Sequence, residues 1–149
     1  MKLHALFGAL LVSASPAIAD DYLYLRCKTS VDLVNTNSTT SKITEDRTMD
    51  DISILKVDFK MKIILDSRSE GPLDIEIQDK FLTIPQRIND KELELEDIGR
   101  IELTPPYALS GKGTAIYKSK NQTSTFSYEG LCKEVDASVF ESALKESAV

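Results

Sequence analysis

Cys27 and Cys132 are the only two cysteines in the chain, and what they can do depends on whether they meet. A thiol reacts as its thiolate, which calls for a Cys-x-x-Cys pair or an electropositive pocket; neither pattern surrounds these residues. Two cysteines in an exported chain read instead as one structural disulfide, because export leads to an oxidising compartment. That bond would close a loop of about 100 residues and restrict the unfolded chain by about 4 to 5 kcal/mol in the entropic account. The single histidine, His4, falls in a segment expected to be removed. Ser-His and Cys-His pairs, imidazole bases and typical zinc sites then lack the residue that supplies their chemistry. Carboxylates, lysines and phenols survive this test, but no catalytic, cofactor-binding or metal-ligating residue stands out among them.

The densest run of carboxylates is Glu92, Glu94 and Glu96, flanked by Asp90 and Asp97. Calcium takes such oxygens, yet the run has neither EF-hand spacing nor a glycine-containing loop. Leu93 and Leu95 alternate with the glutamates, so the pattern reads as the wet face of an amphipathic strand. A glycosidase needs only two carboxylates about 5 to 10 Å apart, which a chain with 24 acidic residues meets by accident. Tyr22, Tyr24 and Tyr117 are expected to project from the outer face of a sheet, where amphipathic rings suit partner contacts, although packing across strands is their commoner use. Asn37 and Asn121 head glycosylation sequons in expected loops, which matter only in a host that glycosylates them. The stretch Gly111-Lys112-Gly113-Thr114 does not meet the spacing of a phosphate-binding loop.

The elements that would position these residues are mostly strands. From Tyr22 to Lys28, Leu23, Leu25 and Cys27 fall on one face and Tyr22, Tyr24 and Arg26 on the other. Near the other end Phe126, Tyr128, Gly130 and Cys132 share a face, so both cysteines lie on the more apolar side of their strands, and the first and last strands should pair or face each other across the core. Ile52 to Asp58 and Lys62 to Asp66 suggest a hairpin, and Leu73 to Gln78 with Phe81 to Ile84 a second, turning at Asp79-Lys80. Pro85 should end that strand or mark an edge. Further runs at 91–96, 100–104, 108–118 and 123–133 bring the total to about eight or nine, spaced by about 8 to 12 residues as in an antiparallel barrel or sandwich. Asn35 to Asp51 is polar and reads as a long connection, with a short strand at most around Lys42 to Thr44. Asp136 suits the N-cap of a closing helix from Ala137 to Glu146, whose Val139, Phe140, Ala143 and Leu144 form one apolar stripe.

Residues 1–19 carry the marks of an export signal: Lys2, an apolar run from Leu6 to Val12, and a small-residue cleavage site ending at Ala19. A secreted or periplasmic product beginning at Asp20 is expected, as one β domain over residues 20–149. The apolar run is too short for a bilayer, and no membrane anchor is expected in the product. Losing Lys2 moves the net charge from −6 to about −7. That balance argues against nucleic acid, whose binding depends on clustered basic residues. A single core of this length folds without a partner, so a monomer is expected.

The layout resembles a loose group of small exported bacterial β-proteins of uncharacterised function with one long-range disulfide. The resemblance rests on an early Tyr22-x-Tyr24-x-x-Cys27 strand, on paired strands like those of Ile54 to Leu65, and on Tyr128-Glu129-Gly130-Leu131-Cys132 near the end. It implies the disulfide and the β fold, and no activity. The outline is also similar to that of lipocalins, small exported up-and-down barrels with a C-terminal helix, but their Gly-x-Trp signature is missing from a chain without tryptophan. The leading expectation is a non-enzymatic binding or envelope-associated protein. A carrier of a small apolar ligand and a carboxylate-dependent hydrolase of extracellular polymers are the alternatives.

Overall fold

A computed structural model describes residues 20–148. The expected signal segment and its cleavage point at Ala19 lie outside the described residues. The described residues form nine strands, β1 (Tyr22–Asn37), β2 (Ile43–Asp58), β3 (Ile63–Asp66), β4 (Leu73–Asp74), β5 (Glu76–Gln78), β6 (Phe81–Asn89), β7 (Leu93–Glu102), β8 (Ala108–Tyr117) and β9 (Gln122–Glu134), followed by a helix, α1 (Ala137–Ser147). All strand pairs are antiparallel, in the order β4-β3-β2-β1-β9-β8-β7-β6-β5.

The two ends of that order are neighbours in the chain. Leu73–Asp74 pairs with β3, Glu76–Gln78 pairs with β6, and Ile75 between them donates its N–H to the carbonyl of Lys62. One bent segment thus fastens both edges of the sheet, and the result is a nearly closed barrel. Ile75 points into the interior at this seam and is 4% exposed.

The barrel interior follows from the alternation of side chains. Leu25, Leu55, Val57, Ile64, Leu82, Ile101 and Leu109 bury one face of their strands around the seam. Cys27 and Cys132 lie directly opposite one another on β1 and β9 and are bonded, with α-carbons 3.9 Å apart. Their position is a non-hydrogen-bonded one, where antiparallel strands come closest, since the N–H of Cys132 turns away from β1 to the carbonyl of Tyr107. The two cysteine-bearing strands therefore pair side by side; they do not face each other across the core.

Two expectations are corrected, and of the two readings of Pro85 the edge holds. Asn35 to Asp51 is no mobile connection: β1 runs to Asn37, and β2 begins at Ile43 after a tight turn. Asn37 builds that turn by accepting the N–H groups of Thr39 and Thr40 on Oδ1. Backbone pairing with β1 overrides the polar composition, since the outward side chains of this half of β2 stand in water. The runs 91–96 and 100–104 are not two strands: residues 93–102 form one, β7, whose ladder continues through Gly99. Pro85 does not end β6, which runs on to Asn89 as an edge beyond its pairing with β5, the position in which proline is tolerated.

The helix packs on the outside of the barrel, against β2 and the start of β1. Phe140 is buried there, with its ring 6.0 Å from that of Tyr24, and the N–H of Val135 bonds to the carbonyl of Tyr24. Asp136 has the extended backbone of an N-cap, but its side chain makes no capping hydrogen bond.

Candidate functional site: a groove on the outer sheet face

The most extensive concavity is a groove on the outside of the barrel. Register places four rows of outward side chains across β1, β9, β8 and β7: Val34, Thr125, Thr114 and Glu96; Asp32, Ser127, Lys112 and Ile98; Ser30, Glu129, Ser110 and Arg100; and Lys28, Leu131 and Ala108. Small residues, Thr125, Ser127, Ser110 and Thr114, occupy much of the two central strands. Larger ones, Asp32, Val34, Ile98 and Arg100, stand on the flanking strands. Two depressions of about 520 and 540 Å³ share Asp32, Ile98, Lys112 and Ser127, and a third of about 460 Å³ continues past Ser30, Ser110 and Glu129 to Leu131. From Thr125 to Leu131 the floor runs for about 20 Å at the rise of a strand.

The inner face explains why the centre of the sheet sinks. The ring of Tyr128 lies flat across Gly111 toward Gly99, so close that a β-carbon on Gly111 would stand 2.2 Å from it. Phe126 covers Gly113 in the same way, at 2.4 Å. With no side chains of their own on the inside, these β8 positions let the two rings lie against the backbone. The β8–β9 pair can then approach the barrel axis, and the outside becomes concave.

The groove carries both signs of charge on each side. Lys112, Arg100 and Glu96 stand on the β8–β7 side, and Asp32, Glu129 and Lys28 on the β1–β9 side. Among the described residues neither Lys112 nor Arg100 has a carboxylate within 4.0 Å, although the Arg100 guanidinium stacks 3.5 Å from the centre of the Phe81 ring. Ile98 and Leu131 are each 57% exposed, Ile98 beside the two depressions that share Lys112 and Leu131 at the end of the third. Hydroxyls, both signs of charge and these two aliphatic side chains line the groove. No nucleophile is paired with a base in it.

The one inward carboxylate held above its usual range is Asp97. Burial raises its pKa, opposed by hydrogen bonds from the Tyr128 hydroxyl at 3.2 Å and from the Ile98 N–H. Burial, together with the Asp97 charge, in turn pushes the Tyr128 phenol upward. A carboxyl whose folded pKa is raised contributes stability that is full below its unfolded value of about 3.9 and is lost as pH rises through the folded value. Asp97→Asn keeps an acceptor for Tyr128 and removes the charge. It is expected to raise the melting temperature at neutral pH and to flatten the decline in stability above about pH 4, as read by thermal melts across pH. Asp51 works in the opposite window: hydrogen bonding to Arg68 lowers its pKa, so its contribution holds above about pH 4 and fades on acidification. An unchanged slope in Asp97→Asn would remove Asp97 as its source.

The residues singled out from sequence are dispersed. Tyr22 and Tyr24 do share the outer face, stacked 6.4 Å apart beside α1, with the Lys56 ammonium 4.5 Å from the Tyr22 ring. Tyr117 departs from the expected outer position: register places it on the inner side with Ala115 and Gln122, in a small cleft with Leu33 and Phe126. Which face of β8 turns inward is settled by the strands beside it. Glu94 and Glu96 lie exposed on β7, and Glu96 pairs with Arg87 at 2.6 Å. Asn121 sits in a turn, where its carbonyl accepts the N–H of Ser38, whereas Asn37 is the last residue of β1 and its side chain holds the turn that follows. Gly111-Lys112-Gly113 is strand, with Lys112 in the groove. Sequence reasoning missed the groove itself; the small outward residues of two late strands were the available signal.

No helix among the described residues is long and apolar enough to cross a membrane. Comparison with protein-family models, with curated proteins and with solved structures finds no match to this chain.

Proposed function

We propose that this chain is an exported, non-enzymatic binding domain that holds an extended polar chain, such as an envelope glycan or a peptide segment, in the groove across β1, β9, β8 and β7. The observation that carries this reading is the continuity of the groove: three adjoining depressions along one strand direction, lined by hydroxyls and by side chains of both charges. The Cys27–Cys132 bond supports a secreted or periplasmic setting, since such bonds persist in oxidising compartments. The disulfide also joins the two strands that form one side of the groove, which keeps its shape fixed before a ligand arrives.

The carrier alternative draws less support from the interior. Aliphatic side chains fill the barrel around the seam, and Phe126 and Tyr128 lie flat on the wall beyond them. A hydrolase would need a second carboxyl beside Asp97, whose side chain bonds to Tyr128.

Titration of the ¹⁵N-labelled domain with soluble peptidoglycan fragments, envelope polysaccharides and peptide mixtures tests the proposal. Amide shifts are expected at residues 110–114 and 125–131, and Ser127→Trp, which fills the floor from the solvent side, is expected to abolish them without lowering the melting temperature. Binding retained in Ser127→Trp, or shifts confined to another face, would refute the groove. An apolar mass retained by the purified protein in native mass spectrometry would favour the carrier.

A further inference from the structure

The first half of β2 is an open edge. Its one ladder, with β1, covers the whole strand, while β3 reaches β2 only at Leu55 to Asp58 and Ser67 bonds the carbonyl of Ile54. No strand among the described residues pairs with Ile43 to Ser53 on that side. Because the Ile54 carbonyl points away from β1, and alternate residues of a strand point their backbone groups alike, the N–H and C=O groups of Asp46, Thr48, Asp50 and Ile52 also point outward, as far as the bulge at Thr44. All four residues are exposed. Natural sheets keep open edges short or cover them, and an edge this long is a template for an added strand.

The side chains at this edge select the strand. Asp46 and Asp50 lie on the outer face, four residues apart, and have no ion pair among the described residues. Between them Thr48 donates to Asp32 on β1, which adds a third carboxylate to the same patch. On the inner face Arg47 is taken by Glu45 at 3.0 Å, and Asp51 by Arg68 at 2.8 Å. A second copy presenting the same acidic edge is repelled, whereas a strand with lysine or arginine opposite Asp46 and Asp50 gains two ion pairs along with its backbone bonds.

We infer that the free edge of β2 is an interaction surface that takes an extended basic segment of a partner protein as an added strand, with basic residues four positions apart. This edge lies one strand beyond the groove and shares Asp32 with it, but its backbone bonds lie on the other side of β2, so the two readings are tested separately.

Hydrogen exchange with an acetylated, amidated Lys-Val-Thr-Val-Lys peptide at millimolar concentration tests the inference. Slowed exchange is expected at Asp46, Thr48, Asp50 and Ile52. The analogue with glutamate in place of lysine is expected to leave exchange unchanged. Asp46→Asn/Asp50→Asn should weaken the lysine peptide about tenfold, an effect of two exposed ion pairs that also fades with added salt. Asp50→Pro removes one outward N–H at an edge position where proline leaves the β1 ladder intact, and should abolish protection while the melting temperature stays close to that of the parent. No protection by the lysine peptide, equal protection by the glutamate peptide, or protection that persists in Asp50→Pro would each overturn the inference. Protection that rises with protein concentration and without peptide would assign the edge to a second copy and overturn it as well.

Discussion

Reduction of the Cys27–Cys132 bond is expected to destabilise the domain by about 2 to 5 kcal/mol, the largest effect available from a single covalent change. The bond spans a sequence separation of 105 residues, near the length at which the entropic account reaches about 4.7 kcal/mol. It also lies in a position where both side chains are buried, so Cys27→Ser/Cys132→Ser would add two hydroxyls to an apolar environment. The oxidised domain, the reduced domain and the double Ala variant, which introduces no buried hydroxyl, should be compared by urea denaturation. Midpoints of the reduced and Ala forms should fall together, well below that of the oxidised form. Equal midpoints for the oxidised and reduced domains would show that the bond adds nothing to the pairing of β1 with β9.

Ile75→Ala is expected to cost about 2 to 5 kcal/mol, the range for removing a buried aliphatic side chain that leaves a cavity. The position has more than its own burial at stake, because Ile75 joins the two short strands through which the sheet edges are fastened. Loss of its packing should speed amide exchange at Leu73–Asp74 and Glu76–Gln78 ahead of global unfolding, a local opening with its own free energy. Ile77→Ala on the same segment provides the contrast: Ile77 is 37% exposed, so its truncation should cost less than about 1 kcal/mol. Equal losses at the two positions would contradict a latch centred on Ile75.

Much of the fold was legible because its signals are local. Leu23, Leu25 and Cys27 alternate within a few residues, Asp79-Lys80 separates two strand-like runs, and Val139, Phe140 and Ala143 repeat at helical spacing. The parity of Cys27 and Cys132 was visible on each strand alone, and their pairing completes it. The second half of β1 and the first half of β2 were hidden, since their Thr, Asn and Asp residues favour turns locally and are held extended by partners distant in sequence. Tyr117 shows the same limit: its strand was evident, but which face of that strand turns inward is settled by partners such as Gln122 across the ladder. The groove required still more, namely knowledge that Ser127 lies beside Lys112 and that Tyr128 folds down onto Gly111. Strand order, which makes those neighbours, is a property of no single segment.

The pairing of β1 with β9 also constrains how the molecule comes into being. These strands meet along Leu25–Asn37 and Gln122–Glu134, although nearly the whole domain lies between them in sequence. A chain emerging from its N-terminus can zip β1 to β2 early, but one side of β1 stays bare until the last strand has been delivered. Contacts of this span make a domain slow to fold and leave its intermediates exposed to wrong pairings. Oxidation before β9 arrives has no correct partner for Cys27, so the yield of native protein should be governed by when the thiols are allowed to close.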